Sequence, residues 1–106
     1  MPVYLWQASY TAEGCKGLLK EGGSKRQQYV TQLVEKAGGK MLAFYFAFGS
    51  NDVTGIVEFP DHPTALSMSL AVNAAGAVRL QSTLLLKPEE VDAATKKTVA
   101  YRAPGA

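Results

Sequence analysis

Alternation of apolar and polar positions at the start of the chain predicts a β-strand. Over residues 3–9 the aromatic residues Tyr4 and Trp6 stand two positions apart, as they do on one face of a half-buried strand. Residues 10–23 are rich in glycine, and each interior glycine weakens a helix by ~1 kcal/mol. We therefore predict a loop there, with one short helical turn at residues 16–20.

A stripe of apolar residues at helical spacing identifies the first long helix. The stripe follows the i, i+3, i+4, i+7 pattern of one buried face. It consists of Val30, Leu33, Val34 and Ala37. Ser24 and Gln27 precede it with the spacing of a capping box, so we predict that the helix begins at Ser24. Gly38 or Gly39 can adopt the left-handed backbone conformation that commonly ends a helix.

Two apolar segments separated by a turn predict a β-hairpin. Residues 41–48 carry no charge, and residues 53–59 form the returning strand. The segment between them, residues 49–52, contains glycine and small polar residues, which are typical of a turn.

Proline and glycine delimit the next helix. Asp61 or His62 is the predicted cap, and Pro63 stands in the first turn, where its fixed φ suits a helix. The helix covers residues 64–75 and ends at Gly76.

The rest of the chain adds a strand and a further helix. Residues 77–86 form the fourth strand, Pro88 with two acidic neighbours favours a helix over residues 88–97, and residues 98–106 form an extended arm. The order is β-α-β-β-α-β with an added C-terminal helix. This is the ferredoxin-like α+β arrangement, in which two helices cover one face of a four-stranded antiparallel sheet.

The second strand occupies an edge of that sheet. Long apolar edge strands without lysine, proline or inward charge invite pairing with another chain, and residues 41–48 have none of these. Exposing six large apolar side chains would cost on the order of 10 kcal/mol, close to the whole stability of a small domain. We therefore expect a second copy of the chain to cover this strand, in a homodimer or a larger assembly built from dimers.

Polar residues share one register across the predicted sheet. They are Gln7, Thr54, Glu58, Arg79, Gln81 and Thr83. If they lie opposite the helices, two sheets packed face to face would enclose a mixed chamber in which Glu58 and Arg79 can pair. The alternative is that they are solvated or interfacial polar groups, because ion pairs at interfaces are common.

Three segments resemble the bacterial GYD-domain family: VYLWQASYTAEG at residues 3–14, AFYFAFG at 43–49 and LAVNAAGAVR at 70–79. The resemblance covers nearly the whole chain and implies a single domain over residues 1–106. It also implies a dimeric α/β barrel whose members pair through their sheets. The function of that family is poorly defined, so the resemblance bears on the fold and not on the chemistry.

The hairpin turn carries a variant of the family signature, which is Gly-x-Tyr-Asp. Here Gly49 and Asp52 match, and Asn51 replaces the tyrosine. We expect a structural role, because Gly49 and Asn51 tolerate positive φ and the Asp52 carboxylate can accept backbone amides. A catalytic carboxylate is the alternative.

Composition excludes several function classes. Eleven basic and nine acidic residues give a net charge of +2, and residues 41–78 contain no lysine or arginine, which argues against a nucleic-acid track. Cys15 and His62 are the only cysteine and histidine, so neither an internal disulfide nor a metal site of nitrogen and sulfur ligands is expected. No uncharged run reaches the ~20 residues of a membrane span. We expect a cytoplasmic protein without metal or cofactor.

The leading hypothesis is a binding or regulatory module with a small-molecule pocket between sheet and helices or at the dimer interface. The candidate binding residues are Tyr10, Tyr45, Glu58, His62 and Arg79. No catalytic residue is assigned, and His62 is expected to cap a helix or to be exposed rather than to act as a base. The alternatives are a cofactor-free enzyme of the small monooxygenase type and a structural assembly subunit.

Overall fold

The computed structural model describes residues 1–106 and contains one four-stranded antiparallel sheet and four helices. In chain order the elements are β1 (Val3–Tyr10), α1 (Ala12–Glu21), α2 (Gly23–Lys36), β2 (Lys40–Phe46), β3 (Val53–Glu58), α3 (His62–Ala75), β4 (Val78–Leu85) and α4 (Pro88–Thr95). The strand order in the sheet is β2-β3-β1-β4. The ferredoxin-like α+β prediction is confirmed, with β1 and β3 in the middle and β2 at an edge.

The core lies between the sheet and the helices. On β1, the alternating residues Tyr4, Trp6 and Ala8 are buried, because successive side chains of a strand point to opposite faces. The main apolar cluster joins this face to α2, α3 and the end of β3. Its members are Tyr4, Trp6, Val34, Val57, Phe59, Ala65 and Met68. Burying each large apolar side chain is worth about 1.5–3 kcal/mol, which holds α2 and α3 on this face.

The loop predicted for residues 10–23 is wrong, because most of that segment forms α1. Thr11 caps the helix, and its Oγ1 accepts a hydrogen bond from the Gly14 N–H at 3.3 Å. Gly14 is buried so closely that a Cβ there would lie 2.0 Å from the carbonyl oxygen of Ala77. Packing against a distant part of the chain therefore outweighs the low helix propensity of glycine.

The helix starts differ in how they are capped. α2 begins at Gly23 rather than at Ser24, and its cap residue Gly22 makes no side-chain hydrogen bond, so the predicted capping box is wrong. At α3 the carboxylate of Asp61 accepts the Thr64 N–H at 2.8 Å, which makes Asp61 the cap. α3 ends at Gly76, as predicted, and Gly76 adopts the left-handed conformation.

The edge strand β2 is shorter than predicted and contains a bulge. It starts at Lys40 and ends at Phe46, and its register with β3 shifts between Met41 and Ala43. Bulges and lysine are both devices that discourage edge pairing. The sequence pattern predicted neither of them within this strand.

The C-terminal part of the chain is exposed. α4 ends at Thr95, and residues 96–106 are exposed and contain neither helix nor strand. None of the four helices combines the length and apolar character that a membrane crossing needs.

Candidate functional site

The five residues that the sequence favoured for binding do not meet at one site. Tyr10 borders a cavity on the helix side of the sheet, whereas His62 is exposed at the start of α3. Tyr45, Glu58 and Arg79 belong to the register on the opposite, open face of the sheet. Within one chain, these five residues therefore do not line one pocket.

Glu58 and Arg79 stand at opposite ends of the open face. Glu58 is opposite Val3, and Arg79 is opposite Ser9, six positions further along β1. At about 3.3 Å per residue this separates them by about 20 Å. An ion pair between these two side chains can form only between two copies of the chain.

The predicted polar register does lie opposite the helices. Gln7 is flanked by Thr54 on β3 and Gln81 on β4, and its neighbours in sequence on β1 are the buried, helix-facing residues. Tyr45 is opposite Thr54 at the β2 edge. Tyr45 and Arg79 thus lie on opposite edge strands, separated by three strand spacings, about 14 Å.

His62 connects the start of α3 to β1. Its Nδ1 is hydrogen-bonded to the hydroxyl of Tyr4, and the two rings meet edge to face with centroids 5.9 Å apart. Burial raises the pKa of Tyr4, and the nearby Asp61 carboxylate raises it further. The pair positions the helix against the strand, in keeping with a structural role for His62.

The family signature at the hairpin also has a structural role. Gly49 adopts φ +107°, whereas Asn51 does not take a positive φ. The carboxylate of Asp52 accepts the Tyr10 N–H at 2.8 Å, and the Asp52 N–H donates to the carbonyl of Ala8 at 2.7 Å. Asp52 therefore links the end of β1 to the hairpin turn through two hydrogen bonds, whereas the sequence suggested bonds to amides of the turn itself.

A cavity of about 60 Å³ lies between the sheet and helices α2 and α3. Ten of its eleven lining residues are apolar. The lining consists of Trp6, Ala8, Tyr10, Arg26, Val30, Leu33, Phe44, Val53, Val72, Val78 and Leu80. Arg26 is the charged member, so an almost entirely apolar space has one cation at its boundary.

Trp6, which lines this cavity, carries an unpartnered donor. The residue is 6% exposed, and its Nε1 has no hydrogen-bond partner. The Oγ of Ser82, the residue opposite Trp6 on β4, is likewise buried without a partner. A buried polar group that lacks a partner costs about 1–3 kcal/mol, so an acceptor reaching Trp6 would recover part of that energy.

Tyr10, Arg26 and Val78 line both this cavity and a second hollow of about 90 Å³ beneath α1. Burial raises the pKa of Tyr10, while the neighbouring Arg26 guanidinium opposes that rise. The guanidinium carbon also lies 5.3 Å from the ring centroid of Tyr29, within the range of a cation–π contact.

Sequence reasoning missed Trp6 and Arg26 as site residues. The signal for Arg26 is its position one turn before Val30 and two turns before Leu33, on the stripe that faces the sheet. A cation on that stripe is unusual, because charged residues normally occupy the solvent face of an amphipathic helix. Trp6 carried no such signal, since an aromatic residue on a core face is ordinary.

The remaining candidate groups stay apart from the cavity. Cys15 is a free, exposed thiol on α1. The structure contains no cluster of three or more His, Cys, Asp or Glu side chains that could hold a metal ion.

Comparison with known proteins identifies the family of the chain. The model of the GYD domain matches residues 4–95, from β1 to the end of α4. A search of curated proteins and a search of solved structures each found no match. The chain belongs to the GYD domain family.

Proposed function

We propose that this protein is a binding module that takes a small, mainly apolar molecule into the cavity between the sheet and helices α2 and α3. The supporting observation is the composition of the lining, with ten apolar residues and a single charged one, Arg26. Small-molecule sites typically combine apolar walls with a few polar groups that fix orientation.

The arrangement of titratable groups favours binding over catalysis. General acid–base chemistry requires a proton-transfer group within hydrogen-bond reach of the reacting atom. Tyr10 and Arg26 are the titratable residues of the lining; a guanidinium offers donors only, and burial raises the pKa of Tyr10. Neither is a base, so the cofactor-free enzyme hypothesis has no geometric support here.

We also propose that the module is a homodimer or a dimer-based oligomer. Tyr45 is 71% exposed and Phe48 is fully exposed near the β2 edge, and Leu5 and Ile56 are opposite each other on the open face. A second copy that covered this surface would remove large apolar side chains from water.

Intrinsic fluorescence tests the binding proposal, because Trp6 is the only tryptophan of the chain and it lines the cavity. Titration with isobutanol, a compact neutral probe, should give a saturable change in Trp6 emission. Val72→Phe, which fills the cavity from α3, should abolish the change. Val91→Phe is the matched control, because Val91 is exposed on α4.

Two results would contradict binding in the cavity. One is the absence of a saturable change in Trp6 emission of the wild-type protein, and the other is an equal change in Val72→Phe. If Val72→Phe fails to fold, Val30→Leu narrows the same cavity from α2 with a smaller change in volume, and it should weaken the response rather than eliminate it.

A further inference from the structure

Two residues that line the cavity, Trp6 and Arg26, carry hydrogen-bond donors, and the lining offers almost no acceptor. Trp6 brings an N–H without a partner, and Arg26 brings a guanidinium, which has donors only. The other lining residues, apart from the Tyr10 hydroxyl, are apolar. The chemical complement of such a space is a molecule with an apolar body and one compact group that accepts hydrogen bonds.

We propose that the cavity selects a short aliphatic carboxylate, whose carboxylate group accepts from Arg26 and from the Trp6 N–H while its alkyl part packs against the apolar walls. This inference rests on the proposed function and names the ligand class of the same site. Trp6 and Arg26 both line one space of about 60 Å³, and this shared lining is the observation that joins the two residues in one proposed site.

The size of the cavity restricts the alkyl part. A cavity of ~150 Å³ holds benzene, and the present one is smaller, at about 60 Å³. It therefore fits a chain of a few carbons or one branched group. The walls that receive it come from both helices and the sheet, with Val30, Val72 and Leu80 among them.

Charge selects the carboxylate over other polar groups. An anion leaves water only when it is paired and hydrogen-bonded, and an arginine gives a carboxylate strong charge-assisted bonds. An amine would meet the like charge of Arg26, and a phosphate would leave further charged oxygens against apolar walls. The hydroxyl of Tyr10, whose pKa burial raises, can donate at the same boundary.

Two acidic residues line the hollow beneath α1, which Arg26 also borders. Glu13 and Glu21 border the hollow beneath α1 and are not part of the cavity lining. Within the cavity lining, Arg26 is therefore the only charged side chain.

Isobutyrate and isobutyramide provide a matched pair of probes, because they have the same shape and differ in charge. Near neutral pH, isobutyrate should bind about tenfold more tightly than isobutyramide, since charge-assisted hydrogen bonds are the stronger ones. Affinity is measured by Trp6 fluorescence and by calorimetry. Arg26→Gln should remove this preference and Arg26→Lys should restore part of it. Arg79→Gln is the control, because it removes the same charge from the open face, away from the cavity.

Each result supports or overturns a distinct statement. Equal affinity for isobutyrate and isobutyramide would overturn the carboxylate inference and leave the binding function standing. If isobutanol, isobutyrate and isobutyramide all fail to bind, the carboxylate inference and the binding function are both overturned. A preference that persists in Arg26→Gln would contradict the role of Arg26. If calorimetry gives Trp6→Phe the same affinity for isobutyrate as wild type, the Trp6 N–H does not donate to the carboxylate.

Discussion

The side-chain amide of Asn73 holds both backbone groups of Leu80. The Leu80 N–H donates to Oδ1 of Asn73 at 2.8 Å, and Nδ2 of Asn73 donates to the Leu80 carbonyl at 3.1 Å. β4 is an edge strand, so these groups have no partner strand. The last turns of α3 therefore cover part of the β4 edge, which makes it a poorer template for another chain. At the other edge, β2 contains a bulge, and Tyr45 in this strand and Phe48 just after it are exposed.

Replacing Asn73 by alanine should destabilise the protein. The variant loses two hydrogen bonds to β4, and at this exposed site we expect a fall of about 1–2 kcal/mol in the free energy of unfolding, measured by chemical denaturation. Asn73→Asp keeps an acceptor for the Leu80 N–H, so its free energy of unfolding should lie between those of wild type and Asn73→Ala. Ser67→Ala is the control, because the Ser67 hydroxyl donates only within α3. An Asn73→Ala protein as stable as wild type would show that the contact is unimportant.

Two glycines of α1 should respond in opposite directions to alanine. A Cβ on Gly14 would meet the Ala77 carbonyl, whereas a Cβ on Gly17 has nothing within 4 Å. We expect Gly14→Ala to cost at least about 1–3 kcal/mol through overpacking. Gly17→Ala should add up to about 1 kcal/mol through helix propensity. Thermal denaturation of the two variants measures this, and changes of the same sign would disprove the packing explanation of α1.

The signature aspartate should matter for stability through its hydrogen bond to β1. Asp52→Ala removes the acceptor of the Tyr10 N–H, and we expect a loss of roughly 1–2 kcal/mol. Asp52→Asn keeps an oxygen in the same place and should be milder. Hydrogen exchange at the Tyr10 amide is the direct readout: it should speed up in Asp52→Ala more than in Asp52→Asn. Equal exchange rates in all three proteins would contradict this role.

Acid should weaken the cap of α3. Hydrogen bonds from the Thr64 side chain and backbone N–H, followed by the nearby His62, lower the pKa of Asp61 below its ordinary value of 3.8. A folded-state pKa below the unfolded one stabilises the protein above 3.8, and this contribution disappears as pH falls through the lower value. Asp61→Asn retains a capping oxygen but does not titrate, so its stability should depend less on pH in that window. If the free energy of unfolding of wild type and of Asp61→Asn changes with pH in the same way, Asp61 is not the group responsible for the loss of stability in acid.

Self-association should depend on the open face near β2. Tyr45→Lys places a charge on the proposed interface, and we expect the protein to shift towards the mass of one chain in light scattering. Tyr101→Lys is a matched control, because Tyr101 is 74% exposed on the C-terminal arm and Tyr45 is 71% exposed. A wild-type protein with the mass of one chain would overturn the oligomer itself, and equal effects of the two variants would move the interface elsewhere.

Much of the fold follows from local patterns. Alternation around Trp6 and the helical stripe through Val34 predicted the buried faces, and Pro63 and Gly76 marked the limits of α3 within two residues. The site was harder to predict. Of the five candidate residues only Tyr10 lines the cavity, because the others were grouped by register and residue type without knowledge of which face or which end of the sheet they occupy.

The sequence by itself determined the order of the strands and the two long helices along the chain, and the buried side of β1 and of α2, since periodicity and helix-ending residues act over a few neighbouring positions. Only the tertiary structure decided that residues 12–21 are helical, that Arg26 and Trp6 border one cavity, and that Asn73 covers the edge at Leu80. Each of these depends on packing or hydrogen bonds between different elements of the fold, such as Gly14 against Ala77. Local propensity contains no information about such contacts.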